Sequence, residues 1–445
     1  MGFSRPGFAA LVVAAVLCAP ASAEEPKTFQ FALQNGLSVL VIPDHRAPIV
    51  TQILFYRVGA SDDPPGTSGL AHFFEHMMFR GTPTLPGDQF ARTVARNGGE
   101  DNAFTTEDYT AFYEQIAKDR LRLVMGLDAD RMVNLDLSDD NVRTERDVVL
   151  EERRTRIDND PQALLREQMD AALHLSHPYG RPVIGWPEEV HRIGRIEAQT
   201  YYSRHYAPNN AILVVAGDVS PDEVRLDAEA TYGKVPARQL VPRTDYAQPP
   251  RLGETRLTIY SENVKQPQFM RIYRVPSYTE AKPGEAESLD VLAQLMGGDA
   301  TSALYRELVM TRRLASDAGA SYSGYARDAG EFEIYASPRP GVKMQVLEQA
   351  IDSVLKAHAT AEAKAADIDR AKTQLVAGAT YQRDNQLDLA SAYGQALAIG
   401  LTVDDVRDWP GRIHAVTPGQ IRDVAAKDVI RRESVTGFLL PGKSP

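Results

Sequence analysis

The chain has 445 residues, 43% hydrophobic and 24% charged, which is globular composition with enough apolar material for more than one core. A formal net charge of −11 argues against a general nucleic-acid binder, because phosphate contacts need a basic surface. The single cysteine, Cys18, rules out a disulfide framework, a cysteine zinc site and a cysteine nucleophile, so any metal here must be held by His and carboxylate.

Residues 1–23 read as a targeting segment. Arg5 gives a short positive start, Phe8 to Ala19 is an almost unbroken apolar run, and Ala21-Ser22-Ala23 fits a small-residue cleavage site ahead of Glu24. Cys18 leaves with that segment. No later stretch is long and apolar enough to be a membrane span. The expectation is an exported, periplasmic protein cleaved after Ala23.

Ser38 to Ile42 and Val50 to Val58 are β-rich around a Pro43-Asp44-His45-Arg46 turn. Gly59 to Gly69 is a Gly-, Pro- and Asp-rich loop, and a helical apolar pattern follows from Leu70 to Phe79. A strand is predicted over 104–113, a helix over 119–134, a charged helix over about 140–157, and a short apolar strand from Ile212 to Ala216. From Lys234 to Gly253 the chain carries Pro236, Pro242, Pro249 and Pro250 with little apolar periodicity, which marks a linker. Beyond it come strands near 255–275, a helix at 285–296, a strand at 332–335, a helix at 343–358 and a charged helix at 366–383. The order of elements repeats at a period near 210 residues. The predicted fold class is α+β, two homologous α/β-roll domains related by internal duplication, over 24–235 and 254–445 with 236–253 as the linker.

His72-Phe73-Phe74-Glu75-His76 is the stretch that bears on chemistry. Two imidazoles four residues apart share one helix face and can grip one ion. Neutral imidazole suits Zn²⁺, and a catalytic zinc site keeps one position open for water. Glu75 is placed to take a proton from that water and pass it to a leaving amine. Phe73, Phe74, Met77, Met78 and Phe79 bury the rest of the helix. A third ligand is available on the acidic helix from Glu145 to Glu152. Glu145 and Glu152 lie seven apart on a face shared with Val148 and Val149, and Glu151 points about 100° away. By geometry alone, either of the first pair serves as ligand while the other hydrogen-bonds a ligating His from behind.

Gly69 to Thr82 resembles the signature of the inverzincins, the pitrilysin/insulinase-type zinc peptidases that include the mitochondrial processing peptidase. Further stretches resemble the same family: Asn35-Gly36-Leu37, Gly98 to Thr105, Glu145 to Glu152, His177-Pro178-Tyr179-Gly180 and Tyr206-Ala207-Pro208-Asn209-Asn210. The likeness spans the chain after the leader, and its length fits the short-chain branch, in which two half-size subunits pair to close a chamber. The resemblance implies His72, His76 and Glu152 as ligands of one Zn²⁺, Glu75 as general base, and Glu145 in the supporting place behind a ligand. It also implies that Asn102, Ala103, Phe104 and Thr105 form the edge strand to which a peptide substrate adds.

One departure stands out. Self-sufficient members carry an Arg and a Tyr seven residues apart in the second half, where they hold substrate and polarise its carbonyl. Here Val309 and Ser316 stand in those places, and neither offers the donor required. Arg312 or Arg313 with Tyr322 is the alternative reading of that alignment. Glu285 to Met296 contains no His. The resemblance with this departure implies a zinc endopeptidase subunit whose homologous partner supplies the Arg/Tyr pair. The alternative is a non-catalytic assembly or peptide-binding subunit that retains a metal site. His174 and His177 read as structural. Gly297-Gly298 lacks the lysine of a phosphate loop, and no Ser lies in a G-x-S-x-G elbow.

Overall fold

The computed structural model describes residues 26–430 and 433–443; the leader read at 1–23 lies outside them. The first half contains β1 (Phe29–Ala32), β2 (Ser38–Pro43), β3 (Ile49–Tyr56), α1 (Leu70–Met77), α2 (Gln89–Arg96), β4 (Glu100–Thr105), β5 (Thr110–Ala117), α3 (Leu121–Asn134), α4 (Asp139–Arg153), α5 (Pro161–Leu173), α6 (Pro187–Val190), α7 (Arg195–His205), β6 (Ala211–Gly217) and α8 (Pro221–Ala230). The second contains β7 (Thr255–Ser261), β8 (Gln268–Val275), α9 (Glu285–Gly297), β9 (Ala315–Ser323), β10 (Gly330–Pro338), α10 (Met344–Thr360), α11 (Ala365–Gln382), α12 (Gln386–Ile399), three short helices and β11 (Ser434–Pro441).

The strands form two sheets, ordered β1-β2-β6-β3-β5-β4 and β7-β11-β8-β10-β9. Each contains one parallel pair, β2 with β6 and β7 with β11, among antiparallel neighbours. The second sheet thus repeats the first without its outer strand, and α1 and α9 hold the same place in the order. The fold is α+β, two homologous units related by duplication.

Two local readings need correction. The strand expected over 104–113 is a hairpin between β4 and β5. Thr106 Oγ1 accepts from the amides of Asp108 and Tyr109, both at 3.1 Å, and the Thr106 amide donates to Tyr109 O at 2.9 Å. Threonines and aromatics have high β propensity, so the turn is hidden in the sequence. The charged helix expected to reach 157 stops at Arg153 and widens into a π-helical turn, Arg154–Asp158.

The cores of the two halves interlock. α5 leaves its own half and packs Leu165, Met169 and Leu173 on Met270, Ile272 and Val435 of the second sheet. α12 returns the exchange, setting Leu389, Ala390 and Tyr393 against Leu40, Ile53 and Phe55 of the first. Glycine permits both approaches: a Cβ on Gly394 would stand 2.0 Å from the Phe55 ring, and one on Gly437 would stand 2.3 Å from Met169 Sδ. Residues 236–252 form neither helix nor strand but are strapped down. Arg238 exchanges bonds with Asn209, and Arg243 pairs with Asp62 at 2.7 Å. Among the described residues, no helix is long and apolar enough to cross a membrane.

Candidate metal centre

The loop before α1 builds the start of the helix. Asp63 is buried and accepts three backbone amides, Gly69 and Leu70 on Oδ2 at 2.8 and 3.1 Å and Ala71 on Oδ1 at 2.9 Å. These are donors that a helix start leaves open. Gly69 has φ 87° and lies so close to Ile184 O that a Cβ would approach it to 2.6 Å, so only glycine fits. Phe73, Phe74 and Met77 are fully buried, with Phe74 stacked on Tyr201 and Tyr202. That packing fixes the rotation of α1 and turns His72, Glu75 and His76 to the opposite side, into a cavity of about 1050 Å³.

α4 crosses this face. Ser138 caps its start, accepting from the Asn141 amide at 3.4 Å. Its end is fixed by buried Arg153, which pairs with Glu167 at 2.7 and 3.0 Å and donates to Gly185 O at 3.0 Å. Held at both ends, α4 brings Glu152 to the imidazoles: Oε2 lies 3.7 Å from His72 Nε2 and 3.0 Å from His76 Nε2. The three donor atoms lie within 4.8 Å of one another, the one such group among the described residues. Oε2 is buried and finds no hydrogen-bond partner in the protein. A buried carboxylate oxygen facing two imidazole nitrogens, none of them matched by a protein donor, is the donor set that fits Zn²⁺.

The electrostatics agree with that set. Burial, then the neighbouring His76, pushes His72 down to about 4, so it is neutral, the form that ligates. On His76 burial acts downward but is outweighed by contact with Glu152 and the charges of Glu152, Glu145 and Glu75, which leave it raised. The His76 contact, opposed by burial, holds Glu152 below the usual carboxylate range. Burial raises Glu75, against the Thr105 hydroxyl, which donates to its Oε2 at 2.5 Å.

That Thr105 bond ties the helix to β4. β4 is the outer strand of its sheet, paired only with β5, and Asn102, Ala103, Phe104 and Thr105 line the same cavity as the histidines. Glu145 also lines it, but both its oxygens are taken by Arg80, with Arg80 Nε donating to Oε2 at 2.7 Å; no hydrogen bond joins it to either imidazole. In the second half Val309 is buried in the π-helical turn Tyr305–Thr311, and Ser316 is exposed on β9, its Oγ 3.3 Å from Ser337 O. His174 and His177 meet Tyr179 edge-on, with His177 Nδ1 accepting the Tyr179 amide at 3.2 Å. Sequence reasoning missed Asp63, Arg80, Arg156 and the Thr105 hydroxyl. Of these only Arg156, four residues beyond Glu152, had a spacing that could have pointed to it.

Duplicated α+β units, one bearing a His-His-Glu group over an open sheet edge, define a class that the comparisons identify. Residues 38–186 match the family described as insulinase (peptidase family M16), and residues 192–375 match the peptidase M16 inactive domain. The chain belongs to peptidase family M16. The zinc protease PqqE of Helicobacter pylori is 28% identical over 419 residues, 94% of this chain and 93% of that protein. An uncharacterized zinc protease of Mycobacterium leprae is 33% identical over 333 residues, 72% of each. The crystal structure of a protease from Helicobacter pylori superimposes with a TM-score of 0.87 at 27% identity, covering 94% of this chain and 100% of that one.

Proposed function

We propose that this chain is a zinc-dependent endopeptidase subunit in which His72, His76 and Glu152 hold one Zn²⁺ and Glu75 is the general base. The observation that carries the reading is the meeting of three donor atoms within 4.8 Å in the cavity that Glu75 also lines. Relatives named as zinc proteases support it. Bound zinc supplies Lewis acidity to a scissile carbonyl and brings the pKa of a water toward neutrality.

The protein's own groups do the rest. An extended peptide adds to the free edge at Asn102–Thr105, where main-chain hydrogen bonds hold it whatever its sequence. Thr105 belongs to that strand and also donates to Glu75, so the base and the bound peptide share one reference frame. The Glu75 carboxylate accepts the proton of the attacking water and delivers it to the departing amine, and its burial makes it the stronger base. A homologous partner completes the site with the Arg and Tyr that Val309 and Ser316 replace here. The leader-like residues 1–23 support a periplasmic location.

The test is zinc content together with cleavage of an unstructured peptide, measured with the homologous partner present. Glu75→Gln is expected to keep one zinc and lose about 10²–10⁴-fold in turnover. His76→Ala is expected to lose both metal and activity. Wild-type turnover by Glu75→Gln sinks the reading. A chain that binds zinc and cleaves nothing with any partner is the non-catalytic subunit instead.

A further inference from the structure

Glu152 has two carboxylate oxygens, and the structure divides them. Oε2 is buried and faces His72 and His76 at 3.7 and 3.0 Å. Oε1 meets Nη1 of Arg156 at 2.7 Å. Arg156 stands in the π-helical turn that follows α4, and such wide turns recur where a helix presents functional groups.

The neighbouring pair gives a contrast. Glu151 and Arg154 also form a salt bridge on this helix, at 3.0 Å, but both side chains are about two-thirds exposed, 65% and 66%. That is a solvated pair, screened by water on both sides. In the Glu152–Arg156 pair the guanidinium is 72% exposed while the carboxylate is only 16% exposed. The carboxylate is thus far more shielded than that of Glu151, and Arg156 is the cation set against its second oxygen. Arg156 also lines the cavity, on the same side as the histidines.

A carboxylate grips a cation through one oxygen or through both. Through both, two imidazoles and one carboxylate supply four donor atoms, and the water that a catalytic site retains makes five. Through one, the fourth position remains for water. Resting on the metallopeptidase reading above, we propose that Arg156 is a positioning residue: it occupies Glu152 Oε1 and commits the carboxylate to the metal through Oε2 alone. Arginine suits this task because it is always charged and its planar fork holds a carboxylate oxygen in a fixed direction.

The experiment loads the chain with Co²⁺ alone and reads the visible d–d bands, which are intense for four-coordinate Co²⁺ and weaken as further ligands bind. The wild type is expected to take up one equivalent with intense bands. Arg156→Met is expected to take up the same equivalent with weakened bands, and Arg156→Lys, which restores a cation, to bring the intensity back. Arg156→Met bands as intense as those of the wild type overturn the inference. So does loss of Co²⁺ uptake in Arg156→Met, which makes Arg156 a support of the fold, and so do bands that stay weak in Arg156→Lys. A wild type that takes up no Co²⁺ removes the metallopeptidase reading itself, and the inference falls with it.

Discussion

Asp63 accepts the amides of Gly69, Leu70 and Ala71, so one side chain closes the start of the helix that bears His72, Glu75 and His76. Asp63→Ala leaves those three buried donors without partners. The expected loss is about 2 kcal/mol or more in urea unfolding, together with weaker zinc uptake. The two imidazoles were legible in sequence because a spacing of four fixes a shared helix face. Asp63 was not, since a cap reaching across a Gly- and Pro-rich loop obeys no spacing rule and an aspartate there reads as a turn former. The same holds for Glu145, whose face on α4 was readable while its partner Arg80, 65 residues away, was not. His174 carries a prediction in pH. Burial, then the adjacent His177, pushes it down to about 3, so it is neutral in the folded protein, whereas in the unfolded chain it protonates near 6.5. Its contribution to stability is complete above pH 6.5 and is lost as pH falls toward 3. The difference in unfolding midpoint between the parent and His174→Gln is expected to shrink steadily across that window; a difference independent of pH sinks the assignment.

At the scale of elements, periodicity shows that a helix has an apolar face but not which sheet that face covers. α12 carries apolar residues nearly all round, from Leu387 through Tyr393 to Ile399, which marks burial on more than one side. Nothing in that pattern says it crosses to the first sheet, or that α5 makes the reciprocal move. The duplication was legible because the order of elements repeats, while the exchange was not, because it is set by shape. The two glycines at the exchange separate the helices experimentally. At Gly394 a Cβ meets the ring of Phe55, itself fully buried. At Gly437 it meets first the sulfur of Met169, on a flexible side chain that can swing aside. Gly394→Ala is expected to cost about 1–3 kcal/mol and Gly437→Ala less, measured by urea unfolding of each variant. Equal costs refute the distinction.

Across the whole molecule the two copies of one plan have diverged. The first keeps α1, with its two histidines, facing a free edge at β4. In the second, α9 has no histidine, and no second metal group exists among the described residues. α9 also closes on β9, so that a Cβ on Gly297 would fall 1.7 Å from the Ala320 amide nitrogen. This half therefore offers no metal group among the described residues, and on the proposed reading what remains for it to contribute is donors for the substrate. Val309 is buried and apolar, and Ser316 is short. The neighbouring alternative is also weak, because the Tyr322 hydroxyl is already spent on Pro276 O at 2.6 Å. Arg312 and Arg313 are exposed, but without a phenol beside them the pair is incomplete. On the proposed reading the metal half is intact and the donor half is missing, which calls for a second chain. Purified alone, it is expected to take up one zinc and cleave an unstructured peptide slowly. Adding a homologous chain that carries the Arg and Tyr is expected to raise turnover about 100-fold or more, the usual worth of a donor aimed at a developing oxyanion. Undiminished turnover by the chain as a homodimer, with no partner present, refutes the division of labour and leaves the zinc half standing.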